Sequence, residues 1–191
     1  MVLDVPEDWL KERARLGLDR RDEMWNGVLH MVPPPSFEHQ DLAGQLFGFL
    51  LVRLASRGIR VLYETGVFRP GGGGKDYRIP DMVFFRASDK HLVTDRGIEG
   101  APLAVLEVLS PDDESYEKLD FWAALGVAEV IMISPKDRAV ELYRLAGTGY
   151  VATSADASWT LHAASIDVRW SRLPRIPACL RVECGGEAME I

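Results

Sequence analysis

The chain has 191 residues, 47% of them apolar and 27% charged, with a net charge of −7. That length can bury a substantial core in one domain, and the composition is ordinary for a globular protein. So acidic a chain is not built for tight nonspecific binding to nucleic acid, and two cysteines, Cys179 and Cys184, are too few for a four-thiolate zinc site unless histidines join them.

In chain order, a short helix is predicted over Pro6 to Leu16, and Asn26-Gly27 supplies the turn of a hairpin between DEMW and VLHMV. Pro33-Pro34-Pro35 breaks the second strand, and Ser36 is placed to cap a long helix whose apolar face is Leu42, Leu46, Phe49, Leu50 and Leu54, closed by Gly58. Strands are predicted at roughly 60–68, 79–85 and 102–109, with the Gly71 to Gly74 run between the first two. Helical spacing of Tyr116, Leu119, Trp122 and Ala123, an acidic DDE segment at its start and Gly126 as its stop mark a further helix. With the strand EVIMIS it makes a parallel, right-handed β-α-β crossover, and RAVELYRL adds another strand. Beyond Gly147 the segments GYVATSA, WTLHAAS and IDVRW alternate enough for one or two short strands, and CGGEAMEI reads as a frayed end. The reading is one α/β (α+β) domain over 1–191, a mixed central sheet flanked by helices, with its core at about 23–145 and less regular strands at 146–180.

MVLDVPEDWL has no basic region followed by an apolar stretch, and the longest apolar run, LFGFLLV, is far short of a membrane span. A cytoplasmic protein with free thiols and no membrane partner is expected.

Two apolar strands each carry one acid. In RIPDMVFF, Asp81 lies near the start of a strand entered through a proline, and in APLAVLEVLSP, Glu107 is the only charge of a strand covered on both faces. Burying a carboxylate is costly unless a cation or hydrogen-bond donors receive it, so the pair suggests a metal site with oxygen ligands, Asp81, Glu107 and the Val108 carbonyl, suited to Mg²⁺ with Mn²⁺ as a substitute. The position two beyond Glu107, where a lysine could share its face, is Leu109. The cation comes instead from Lys118, in the first turns of the following helix, whose side chain could swing from a solvated cleft over the carboxylates. The plainer alternatives are a structural ion pair at Asp81 and Glu107, and a surface Lys118 paired with Glu114.

Other residues are weaker candidates. Glu64 should neighbour the strand of Asp81, and His39, beside Glu38 at the start of the long helix, could reach the same site or serve as a helix-start hydrogen bonder. The four glycines lack the following GK[ST] of a phosphate loop, but Arg69, Lys75 and Arg78 beside them could touch a phosphate backbone. From Arg53 to Arg78 six basic residues face only Glu64 and Asp76, a local net of +4. His30, His91 and His162 have no HExxH spacing, and Ser110 and Ser134 no G-x-S-x-G elbow.

The blocks NGVLHMVPPPSFEHQ, IPDMVFF, LEVLSPDDESYEKL, GVAEVIMISP and VELYRL, in this order over about Glu23 to Leu145, resemble the Uma-type restriction endonuclease family of the PD-(D/E)XK nuclease superfamily. The resemblance implies a restriction-endonuclease-like core, metal-binding Asp81 and Glu107, a catalytic lysine relocated to Lys118, and cleavage leaving a 5′-phosphate and a 3′-hydroxyl. It also implies a histidine near His39. A Mg²⁺-dependent endonuclease acting on nucleic acid, DNA first, is therefore expected, with a homodimer possible through the aromatic C-terminal segment that includes Trp159 and Trp170. The rival is a binding or assembly module that keeps the nuclease fold without turnover.

Overall fold

The computed structural model describes residues 6–111 and 114–191. Helix α1 (Glu7–Leu16) precedes the hairpin of β1 (Glu23–Trp25) and β2 (Val28–His30), and the long helix α2 (Phe37–Ala55) follows. Next come β3 (Ile59–Tyr63), β4 (Val67–Phe68), β5 (Tyr77–Arg78), β6 (Met82–Arg86), β7 (Val93–Thr94), β8 (Gly97–Glu99) and β9 (Ala104–Val108). Helix α3 (Leu119–Leu125) leads to β10 (Glu129–Ile133), β11 (Val140–Ala146), β12 (Gly149–Ala152), β13 (Thr160–Ala163), β14 (Val168–Leu173), β15 (Cys179–Cys184) and β16 (Glu187–Glu190).

The strands form three sheets. The central one, ordered β12-β11-β10-β9-β6-β3, is mixed: β9 and β10 run parallel, joined through α3, and its other pairs are antiparallel. One smaller sheet has the order β2-β1-β5-β4-β8-β7, and the last four strands form a C-terminal meander. Because the central strands are buried on both sides, their side chains alternate between two apolar clusters. Met82, Phe84, Leu106, Val108, Ile131 and Ile133 face α2 and the C-terminal sheet, where Leu42, Leu46, Leu50, Trp170 and Val182 fill the core. Val83, Phe85, Val105, Val130 and Met132 face α3, packing on Phe121 and Trp122. Glu107 shares the side of Val105 by this alternation, which turns it toward the start of α3.

Several local expectations hold for the reasons that generated them. Asn26 and Gly27 take φ of 49° and 87° in the β1–β2 turn, the Ser36 side chain accepts the His39 N–H at 3.2 Å, and Gly126 caps α3 at φ 88°. Others do not. The strand expected over 60–68 breaks at Glu64, which takes φ of 44°, so that β3 stays in the central sheet and β4 joins the smaller one. Lys118 is the N-cap of α3, and Asp112 and Asp113 of the DDE segment lie outside the described residues.

The C-terminal region is more regular than its sequence suggests. CGGEAMEI turns into β16, and the Ile191 backbone exchanges hydrogen bonds with Leu180 at 2.8 and 2.9 Å. Glu129 fastens this sheet to β10 by accepting the N–H groups of Ala164 and Ser165 at 3.0 and 2.8 Å and the Arg144 guanidinium at 2.9 Å. Trp170 is fully buried and therefore unavailable to a subunit interface, whereas Trp159 is exposed. Cys179 and Cys184 are free thiols. Among the described residues no helix is long and apolar enough to cross a membrane.

Leu46→Ala should destabilise the protein by about 2–5 kcal/mol, since the residue is fully buried where α2 packs on the central and C-terminal sheets. Val52→Ala, on the exposed face of the same helix, should change stability by less than about 0.5 kcal/mol, and urea denaturation of the two variants reads the difference.

Candidate active site

Three strand ends meet where β6 begins. Pro80 has no N–H to give a ladder, so pairing of β6 starts after Asp81, and the Asp81 carboxylate is left at the mouth of the sheet. Continuing the registers Tyr63↔Met82 and Met82↔Leu106 by one residue sets Glu64, Asp81 and Glu107 in one line across β3, β6 and β9. Hydrogen bonds lock that line: the Glu64 N–H donates to the Asp81 carbonyl at 3.0 Å, and Asp81 Oδ2 accepts the Val108 N–H at 2.7 Å.

Glu107 is buried, and Lys118 is buried beside it. The Lys118 ammonium lies 3.2 Å from Glu107 Oε1 and 2.9 Å from Glu23 Oε1. Glu23 also accepts the Ile79 N–H at 2.8 Å and the Trp25 indole N–H at 2.8 Å. Burial pushes the Glu107 carboxyl up to about 8; Lys118 opposes the shift, and the charges of Asp81 and Glu23 add to it. Burial works against the charged form of Lys118, but Glu107 and Glu23 outweigh it and hold the ammonium above the ordinary lysine range. The lysine is thus no surface residue in a solvated cleft, and its partner is not Glu114, whose carboxylate meets His30 Nδ1 at 2.5 Å. Sequence reasoning missed Glu23. The only signal for it was general, that a buried lysine facing one glutamate leaves room for a second.

On the α2 side, His39 Nε2 lies 3.3 Å from Asp81 Oδ2. Burial disfavours its charged form, but the bond to Asp81, its charge and the Val108 backbone together raise the imidazole's pKa, with Arg21 pulling back. Glu64 does not turn its carboxylate to Asp81: Oε1 accepts Arg21 Nη2 at 2.6 Å and Gln40 Nε2 at 3.4 Å, while the Tyr63 hydroxyl donates to Gln40.

A model of the Uma2 family, described as "Putative restriction endonuclease", matches residues 10–174. The chain belongs to the Uma2 family. Among solved structures, one described as "a putative nuclease belonging to DUF820" from Anabaena variabilis is similar with a TM-score of 0.61 and 18% identity, covering 76% of this chain and 83% of that chain. Its likeness extends the restriction-endonuclease-like fold to this Uma2 protein. The sequence matches no curated protein.

In this Uma2 protein the basic residues around the glycine run are placed apart from the carboxylates. Arg78 is buried, its guanidinium 4.2 Å from both the Trp25 and Phe121 ring centres and 3.0 Å from Asp76, so it is enclosed in the core and not offered to a phosphate. Arg69 pairs with Asp76 at 2.5 Å, and Lys75 is exposed on the β4–β5 hairpin, its carbonyl accepting the Gly27 N–H at 2.8 Å.

Among the described residues no three His, Cys, Asp or Glu side chains converge as a ready metal cage. The donors nevertheless fit a hard cation. Asp81 and Glu107 are oxygen ligands, Mg²⁺ commonly takes only one or two carboxylates and keeps its waters, and the charges of Asp81 and Glu23 add to burial in raising Glu107 while the Lys118 ammonium between Glu107 and Glu23 opposes them.

Two outcomes follow from this burial. Lys118→Ala should cost about 3–5 kcal/mol in urea denaturation, because it leaves buried carboxylates without their cation. With no metal bound, burial raises the folded-state pKa of Glu107 above its ordinary 4.5, so its contribution to stability is fully present below pH 4.5 and is lost as pH rises through the raised value. Glu107→Gln should flatten the decline in stability between pH 5 and 8, and an unchanged slope would refute the assignment.

Proposed function

We propose that this Uma2 protein is a divalent-metal-dependent nuclease that hydrolyses phosphodiester bonds of nucleic acid, DNA being the first substrate to test. The observation that carries the reading is the pair Asp81 and Glu107 on adjacent strand ends with Lys118 held at 3.2 Å from the second carboxylate. Asp81, Glu107 and the Val108 carbonyl would hold Mg²⁺, with Mn²⁺ as a substitute. Such a metal supplies a water of lowered pKa and neutralises charge on the phosphate.

The protein's own groups divide the remaining work. Glu23 fixes the Lys118 ammonium against Glu107, where it would present a preorganised positive charge to the negatively charged oxygens of the five-coordinate transition state. The Val108 N–H and the His39 ring hold the Asp81 carboxylate in one orientation. Two apolar clusters, one on each face of the central sheet, join that sheet to the other two, and we treat the chain as a single domain. A homodimer would bring two such sites to a duplex, with the exposed Trp159 free to join the contact; sedimentation as a monomer at micromolar concentration would remove it.

The second reading, a binding module without turnover, is favoured by Leu109 at the position two beyond Glu107 and by the engagement of Lys118 with two carboxylates. Cleavage assays separate the two. Purified protein should cut DNA with Mg²⁺ or Mn²⁺, lose activity on chelation, and bind Ca²⁺ without turnover. Asp81→Ala and Glu107→Ala should weaken calorimetric metal binding as well as turnover. Lys118→Met should retain metal binding while single-turnover cleavage falls by roughly 10²-fold or more. Inactivity on single- and double-stranded DNA and RNA with each metal would establish the binding module instead.

A further inference from the structure

We infer that Arg21 is a phosphate-binding residue on the Glu64 side of the carboxylate pair, held in place by Glu64, which Gln40 also bonds; the inference rests on the nuclease reading above. The lateral order Glu64, Asp81, Glu107 gives the site two flanks. Lys118 stands on the Glu107 flank and Arg21 on the Glu64 flank. Three consecutive residues carry this arrangement. Asp22 is buried and takes a fork of bonds from Arg13 at 2.6 to 2.9 Å, Glu23 binds Lys118, and Arg21 reaches Glu64 at 2.6 Å. The backbone bearing Arg21 is therefore fixed by its two neighbours.

The two cations differ in what they can offer a ligand. The Lys118 ammonium is enclosed between two carboxylates, whereas the Arg21 side chain is 32% exposed and meets one carboxylate through Nη2. A guanidinium has five N–H groups in a rigid fork, so one edge can be held by the protein while another takes two phosphate oxygens. Its partner Glu64 gives its backbone N–H to the Asp81 carbonyl at 3.0 Å, which places the guanidinium one residue from the Asp81 strand end. Glu64 itself sits in the left-handed region at φ 44° with its N–H on the Asp81 carbonyl, an uncommon conformation for a non-glycine residue. That bend is what brings the arginine's holder alongside Asp81. The plain alternative is an ion pair that merely ties the N-terminal segment to β3.

Titration of a labelled DNA oligonucleotide in Ca²⁺ across 50–200 mM salt, with cleavage kinetics in Mg²⁺, distinguishes these. Arg21→Gln should weaken binding about tenfold and lower the salt slope by roughly one, the signature of one lost phosphate contact. Arg21→Lys should recover the slope but not the full affinity, because the charge returns without the fork. Glu64→Gln should keep the slope, since the cation remains. Wild-type affinity and salt slope in Arg21→Gln, with only a lowered melting temperature, would leave the arginine a structural tie and overturn the inference while the nuclease reading stands. If Arg21→Gln does not fold, Arg21→Lys still decides, with reduced affinity supporting the contact and wild-type affinity refuting it. A wild-type protein that neither binds nor cuts any nucleic acid removes both readings together.

Discussion

A single buried ammonium between two carboxylates organises the functional end of this protein. Lys118 draws together β9 through Glu107, β1 through Glu23 and the start of α3 through its own backbone. Glu23 also accepts the N–H of Ile79, two residues before Asp81, so the same carboxylate that steadies the lysine steadies the chain entering β6. Removing water from three charged groups is costly, and the arrangement persists because each group finds a partner. One ammonium meets two carboxylates, with Asp81 acting on Glu107 from beside them, and it is on this surplus of negative charge that the proposed metal site rests.

The two faces of the central sheet have different parts in this. The α3 face brings Lys118 onto Glu107, while the α2 face brings His39 to Asp81 from the other side. Asp81 turns its carboxylate to His39 and the Val108 N–H at the point where it precedes the regular part of β6. The N-terminal segment then crosses the rim, with Arg13 and Asp22 anchoring it between the Arg21–Glu64 and Glu23–Lys118 contacts. α1 buries no residue of its own, and the Arg13–Asp22 bond ties it to the segment that crosses the site.

Much of the architecture was legible in short stretches. Apolar runs with one acid each marked β6 and β9; Asn26-Gly27, Ser36 and Gly126 marked a turn, a helix start and a helix stop. The candidate acids, Asp81 and Glu107, stood out because a lone charge in an apolar strand needs an explanation, and Lys118 was sought in the next helix because the position two beyond Glu107 is Leu109. The C-terminal meander was under-read because its strands alternate weakly, and the inward direction of Trp170 depends on a pairing with β15 that no local pattern reports.

The sequence by itself determined most of the strands and helices before Gly147, and that the carboxylates of Asp81 and Glu107 needed a partner, because periodicity and desolvation act on each residue through its immediate neighbours. Tertiary structure decided who meets whom. Glu23 reaches Lys118 across about half of the chain, Arg21 reaches Glu64 at a bend that splits an expected strand, and Arg78 turns inward between two rings instead of outward to solvent. Each outcome depends on the packing of elements distant in sequence, where the cost of burying a charge is met by a partner whose position only the assembled sheets define.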